Sequence, residues 1–201
     1  MKNVLKLIFG IFILSSLFIS CSDDDDDDNA VKPNQLKVED QSYDLGSGML
    51  INLGADEDDS MQYNGYLQVL ALVSDDIDLI NETGRGPLLL LQVFSSTASS
   101  LDTGDYTFDN TPPFELKTFA GGGYTLDFDT QEDDDIDDFE DAIEIVSGTI
   151  SVKKNGNSYE ISAKCKDTNG KTVTAYYQGS LIYVDFTAGL LQKPNFIKIL
   201  N

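Results

Sequence analysis

The sequence predicts an all-β domain, an antiparallel β-sandwich or barrel with a C-terminal meander, set behind a signal peptide and an acidic tether. Three observations carry that expectation. Apolar and polar residues alternate through three consecutive runs near the end of the chain, with Asn155-Gly156 and the turn sequence 167–170 (Asp-Thr-Asn-Gly) between them. About ten short apolar runs are punctuated by Gly, Pro, Asn and Asp along the rest of the chain. Only one stretch has helical spacing, at Ile136, Phe139 and Ile143.

Taken in order, Leu36 and Val38 alternate with Lys37 and Glu39, and Asp40-Gln41 turns into residues 42–45. Gly46 and Gly48 break the chain before Met49, Ile51 and Leu53. Leu67, Val69, Ala71 and Val73 share one face of a longer strand. Residues 87–94 are apolar on both faces, and the flanking Gly84, Gly86 and Pro87 favour a buried strand over a helix. Gly104, Tyr106 and Phe108 begin an extended piece that Pro112-Pro113 interrupts before Phe114, Leu116 and Phe119. Gly121-Gly122-Gly123 reads as a break before Tyr124, Leu126 and Phe128. Residues 133–145 read as one or two helical turns or as an acidic loop. In the meander, Val146, Gly148, Ile150 and Val152 form one row. Tyr159, Ile161, Ala163 and Cys165 form the next, and Val173, Ala175 and Tyr177 the third. Gly179 interrupts before residues 181–186.

Charge and composition exclude several functions. With 35 acidic against 13 basic residues the 201-residue chain has a formal charge of −22. Phosphate contacts need Lys and Arg, so nucleic acid is not expected, nor is electrostatic binding to an anionic bilayer. The chain has no His, which removes Ser-His-Asp and Cys-His catalysis and imidazole metal sites. It has no Trp and two Cys, Cys21 and Cys165. Cys165 continues an inward row, as a small buried hydrophobe does.

The first residues give the address. Lys2 and Lys6 precede the apolar residues 7–14, and small and apolar residues follow to Ser20-Cys21. A positive start, an apolar middle too short to span a bilayer and a small residue before the cut predict a signal peptide over residues 1–20. Leu17-Phe18-Ile19-Ser20-Cys21 resembles the lipobox of bacterial lipoproteins, with Phe18 where Leu is most often found. That resemblance implies lipidation of Cys21 by diacylglycerol, with a further acyl chain of the palmitate type on its amine. Ser22 and six consecutive Asp, Asp23 to Asp28, must stay solvated and extended, so residues 21–34 are expected to be a tether and 35–201 the domain. Cys followed by Ser and several Asp resembles the surface-export signal of Bacteroidetes lipoproteins. It implies an outer-membrane lipoprotein exposed at the cell surface, with a periplasmic orientation as the alternative.

Candidate chemistry is sparse. Asp129, Asp133, Asp135 and Asp137 offer the oxygen ligands Ca²⁺ requires, though the glycine turn of an EF-hand loop is missing. Asp56, Glu57, Asp58 and Asp59 form a second acidic group that could converge with the first. Tyr63, Tyr66, Tyr176 and Tyr183 could stack on a sugar or a protein, or simply be good strand formers. The run 147–185, with residues 36–45 (LKVEDQSYDL) and 101–108 (LDTGDYTF), resembles a group of small Bacteroidetes surface lipoproteins of all-β fold, for which no activity carries over. The leading expectation is a non-catalytic lipoprotein domain that binds a glycan or a protein. The alternatives are a β-barrel carrier of a small apolar ligand and, third, a carboxylate-based glycoside hydrolase.

Overall fold

The computed structural model describes residues 34–56, 62–79, 81, 83–130 and 142–187. All lie in one compact unit, Lys32–Asn201. The expected leader, Cys21, the expected tether up to residue 33, and Glu57, Asp58, Asp59, Asp133, Asp135 and Asp137 lie outside the described residues.

Ten strands follow in chain order, and the described residues contain no helix. They are β1 (Gln35–Val38), β2 (Gln41–Asp44), β3 (Ser47–Ala55), β4 (Tyr66–Val73) and β5 (Arg85–Ser95). Then come β6 (Gly104–Phe108), β7 (Thr118–Asp129), β8 (Ile143–Asn155), β9 (Ser158–Asp167) and β10 (Thr172–Asp185). The all-β expectation holds. The strands form one sheet that closes on itself, running β10–β3–β4–β5–β7–β8–β9 and back to β10. Two strand pairings are parallel rather than antiparallel, β10 with β3 and β6 with β7. The first follows from β10 changing partners along its length. Its first part lies between β1 and β9, and past Gly179 its residues Leu181 to Asp185 pair with Gly48 to Asn52. Gly179 is therefore no interruption. It lies where a Cβ would stand 2.6 Å from the Tyr177 hydroxyl.

The meander forms as expected at both turns. Asn155 pairs with Ser158 around Gly156, which takes the positive φ of 61° such a turn needs. One phase differs. A bulge between Ile145 and Ser147 shifts the β8 register, so Ile145 points inward and Val146 outward at 42% exposure. The expected row of Val146 with Gly148 is thus broken at its first member. Ile143 belongs to β8, not to a helical turn, and residues 131–141 lie outside the described residues.

The triple glycine is also not a break. β7 runs straight through it, and Gly122 (φ 149°) passes so near β5 that a Cβ would stand 2.1 Å from the Leu90 carbonyl oxygen. Glycine inside a strand here marks close backbone approach rather than chain reversal.

Two apolar layers result. Inside the ring lie Leu50, Leu70, Leu89, Phe119, Tyr106 and Ile161, among others, with Cys165 beside them. These side chains fill the described interior, so the expectation of a ligand-carrying barrel draws no support from it. Outside, Ile51, Val69, Ala71, Leu88 and Leu90 form a second cluster on the outer face of β3–β4–β5. Residues 88–91 are therefore buried on both faces, as their unbroken apolar run predicts.

Burial holds several acidic groups neutral. The Cys165 thiol is pushed from 9.0 up to about 11 by desolvation, and the Tyr106 phenol from 10.0 to about 12, again chiefly by desolvation. A folded value above the unfolded one means the unfolded chain ionises first. The thiol's contribution is complete below pH 9 and lost between 9 and about 11; the phenol's is lost between 10 and about 12. Each contribution is on the order of 2 kcal/mol. Denaturant midpoints should therefore hold steady to pH 9 and fall above it, with the tyrosinate absorbance of the buried phenols appearing only on unfolding. Midpoints unchanged up to pH 12 would contradict the buried placement of both groups.

Candidate functional site

At one end of the ring the inward-facing positions turn from apolar to polar while the strand period continues. On β3, Leu50 is followed two residues on by Asn52; on β4, Leu70 is preceded by Gln68; on β10, Leu181 is followed by Tyr183 and Asp185. On β8, Val152 is followed by Lys154, which faces Tyr159 of β9 across the hairpin. The ring thus has a polar mouth.

The mouth is tied together by hydrogen bonds. Asn52 donates from Nδ2 to Asp185 Oδ1 at 3.2 Å and accepts the Gly54 N–H at 3.2 Å. Asp185 Oδ1 also accepts from the Thr187 N–H (2.9 Å) and Thr187 Oγ1 (2.7 Å), and these bonds hold its carboxyl below the usual range. Tyr183 lies beside Asn52 and Asp185, and its phenol is pushed up by partial desolvation and by the Asp185 charge. Tyr66 is near enough to add to that rise.

A loop folds over the same end. Buried Gln68 donates from Nε2 to the carbonyls of Thr97 (3.0 Å) and Ala98 (2.6 Å), while its Oε1 has no hydrogen-bond partner. Asp102 accepts from the Ser96 N–H (2.8 Å) and Ser96 Oγ (2.6 Å), and the Asp102 N–H donates to Tyr106 Oη at 2.7 Å. The loop is therefore fixed to the interior at both ends.

Between loop, hairpin and β10 lies a cleft of about 300 Å³. Its lining includes Ser99, Lys154, Asn157, Tyr159, Ser180 and Tyr183, over a floor of Leu50 and Leu181. Lys154 Nζ sits 5.0 Å from the Tyr159 ring centroid, a cation–π distance. Tyr183 is 39% exposed and offers a ring face. The volume is at the lower end of the ~300–1,000 Å³ usual for small-ligand pockets. A second cleft, of about 340 Å³, lies at the other end on the outer face, between Met49, Val73, Asp75, Asp78, Asn81 and Ile182. There Asp78 is engaged by the Asn81 N–H (3.0 Å) and Nδ2 (2.6 Å).

The four candidate tyrosines separate. Tyr66 and Tyr183 both lie at the polar end of the ring. Tyr63 instead packs on Phe94 at 5.4 Å between centroids and donates to the Gly54 carbonyl at 3.2 Å. Tyr176 points away from the interior that Tyr177 fills, its hydroxyl 3.4 Å from Gln178 Oε1.

Of the acidic candidates only Asp56 and Asp129 are described, and these two lie apart. Asp129 ends β7 and pairs with Arg85 at 3.4 Å, beside the bidentate Arg85–Asp127 pair. Asp56 follows β3, which runs opposite to β7, so the two described members lie at opposite ends of the sheet. Among the described residues no group of three or more His, Cys, Asp or Glu is placed to hold a metal ion.

Lys154, Asn157, Asn52, Gln68 and Asp185 were not among the candidates. For Asn52 and Gln68 the signal is in the sequence, as polar residues two positions from Leu50 and Leu70 at strand ends. Comparison with known proteins finds no matching family model, no similar curated protein and no similar solved structure.

Proposed function

We propose that this chain is a lipoprotein held to the outer membrane through Cys21, exposed at the cell surface, whose β domain is a non-catalytic binding module for a glycan. The mouth cleft is the observation that carries the binding part. It combines a partly exposed aromatic ring (Tyr183), a cation (Lys154) and neutral hydrogen-bonding groups (Ser99, Asn157, Ser180) around one opening. Sugars present apolar ring faces for aromatic stacking and hydroxyls for paired donors and acceptors, and Lys154 suits an acidic substituent. The described lining has no carboxylate, so the two-carboxylate geometry of a glycosidase has no seat in it. The address rests on the leader, lipobox and Ser-Asp run of the sequence.

A panel of neutral and acidic oligosaccharides, titrated calorimetrically, tests the reading. Tyr183→Ala and Lys154→Ala should each weaken the best ligand about tenfold, or ~1.4 kcal/mol, with the unfolding midpoint unchanged. No ligand above background in a broad panel, or a ligand indifferent to both variants, would remove the mouth as the site. A protein partner whose binding both variants abolish would keep the site and change the ligand class.

A further inference from the structure

We propose that the second cleft, on the outer face, is a binding site for a small organic ammonium ion with an apolar body. Its floor is apolar by strand period. Met49 and Val73 face outward from β3 and β4, and Ile77 and Leu79 of the β4–β5 connection belong to the same buried outer cluster. Ile182 of β10 is the parallel-strand partner of Met49, so its side chain points the same way. Yet Ile182 keeps 45% of its surface exposed, beside four buried apolar neighbours. That is apolar surface which the hydrocarbon of a ligand would cover.

The rim is anionic and held in place. Asp75 and Asp78 are exposed, and the described lining contains no Lys or Arg. A Cβ on Gly46 would collide with Asp75 Oδ1, so the bare glycine is what lets Asp75 lie against the chain just before β3. Asp78 is oriented by the Asn81 N–H and Nδ2, and its backbone closes on Thr83 through bonds of 2.8 and 3.1 Å. The cleft is therefore formed before a ligand arrives, which lowers the ordering cost of binding.

Charge selects the occupant. Two carboxylates over an apolar floor repel an anion, and a neutral guest would desolvate them without compensation. An ammonium head meets the carboxylates while its hydrocarbon covers Ile182. The formal charge of −22 raises the local concentration of any cation. A bare metal ion would leave the floor uncovered, and Ca²⁺ requires more oxygen ligands than two carboxylates supply.

Titration of the full chain with hexylammonium, followed by methyl resonances and by calorimetry, tests this. Shifts should concentrate at Val73, Ile77, Leu79 and Ile182, with none at the mouth. Methylammonium lacks the tail and hexanol lacks the charge, so each should bind at least about tenfold more weakly. Asp75→Asn should weaken hexylammonium about three- to fivefold, the scale of one exposed ion pair. Ile182→Ser should weaken it about fivefold through lost apolar burial. Both positions are exposed, so the unfolding midpoint should not move, and the ligand series needs no variant at all. The site would be overturned by an absence of saturable binding, or by equal affinity for hexanol or methylammonium. Shifts centred elsewhere, displacement by an equal concentration of Ca²⁺, or affinity untouched by Asp75→Asn would overturn it as well.

Discussion

Replacing Cys21 with Ala should move the protein from the membrane fraction to the soluble or unprocessed fraction and abolish incorporation of labelled palmitate. The size of the effect follows from the anchor's physics. Each buried CH₂ contributes ~0.8 kcal/mol, so a single acyl chain holds a protein only reversibly, whereas two or three hold it for practical purposes permanently. The charge of the chain offers no substitute. With 35 acidic residues against 13 basic, the protein is repelled by anionic headgroups. Among the described residues no helix is long and apolar enough to cross a membrane. Fractionation with metabolic lipid labelling checks the expectation. A Cys21→Ala chain that is cleaved, labelled and sedimented like the unaltered one would end the lipoprotein reading, while leaving the cleft untouched.

The second large effect belongs to Asp167. Its carboxylate is 1% exposed and accepts three hydrogen bonds, from Tyr124 Oη at 2.9 Å and from the Asn169 and Lys171 N–H groups at 2.9 and 2.8 Å. It thereby closes the β9–β10 turn and ties it to β7 across the interior. Asp167→Ala removes a charged acceptor and leaves a buried phenol and two turn amides without partners. The expected loss is about 3 kcal/mol, lowering Tm by roughly 6–12 °C in a domain of this size. Tyr124→Phe should cost about 1–2 kcal/mol, since the carboxylate keeps its two backbone donors. By contrast, Arg85→Ala should change stability by less than about 1 kcal/mol, because Arg85 and Asp127 are both more than half exposed. Equal effects for Asp167→Ala and Arg85→Ala in thermal denaturation would show that the buried network is not what holds the turn.

The meander was legible because its information is local. Asn155-Gly156 and residues 167–170 fix the turns, and period-two alternation assigns the faces of β9 and the first half of β10. What was not legible depends on partners distant in sequence. The triple glycine looks like chain reversal until β5 is seen crossing beside Gly122. Val146 looks inward-facing until the bulge after Ile145 shifts the phase. The parallel pairing of β10 with β3 joins residues more than a hundred positions apart, and no alternation pattern encodes it. The site was half legible for the same reason. Tyr66 and Tyr183 stand out as aromatic residues, whereas Asn52, Gln68 and Lys154 become a mouth only when their strand ends meet.

That β10 hydrogen-bonds to β1, β3 and β9 bears on when folding can occur. A chain synthesised from its N-terminus leaves one edge of β1 unpaired until Tyr176 is made and one edge of β3 unpaired until Asp185 is made. Loop closure over such separations is slow, so completion is a late, concerted event rather than a stepwise one. A polypeptide that cannot lock its own circle before its tenth strand is made needs protection from neighbours for as long as it waits.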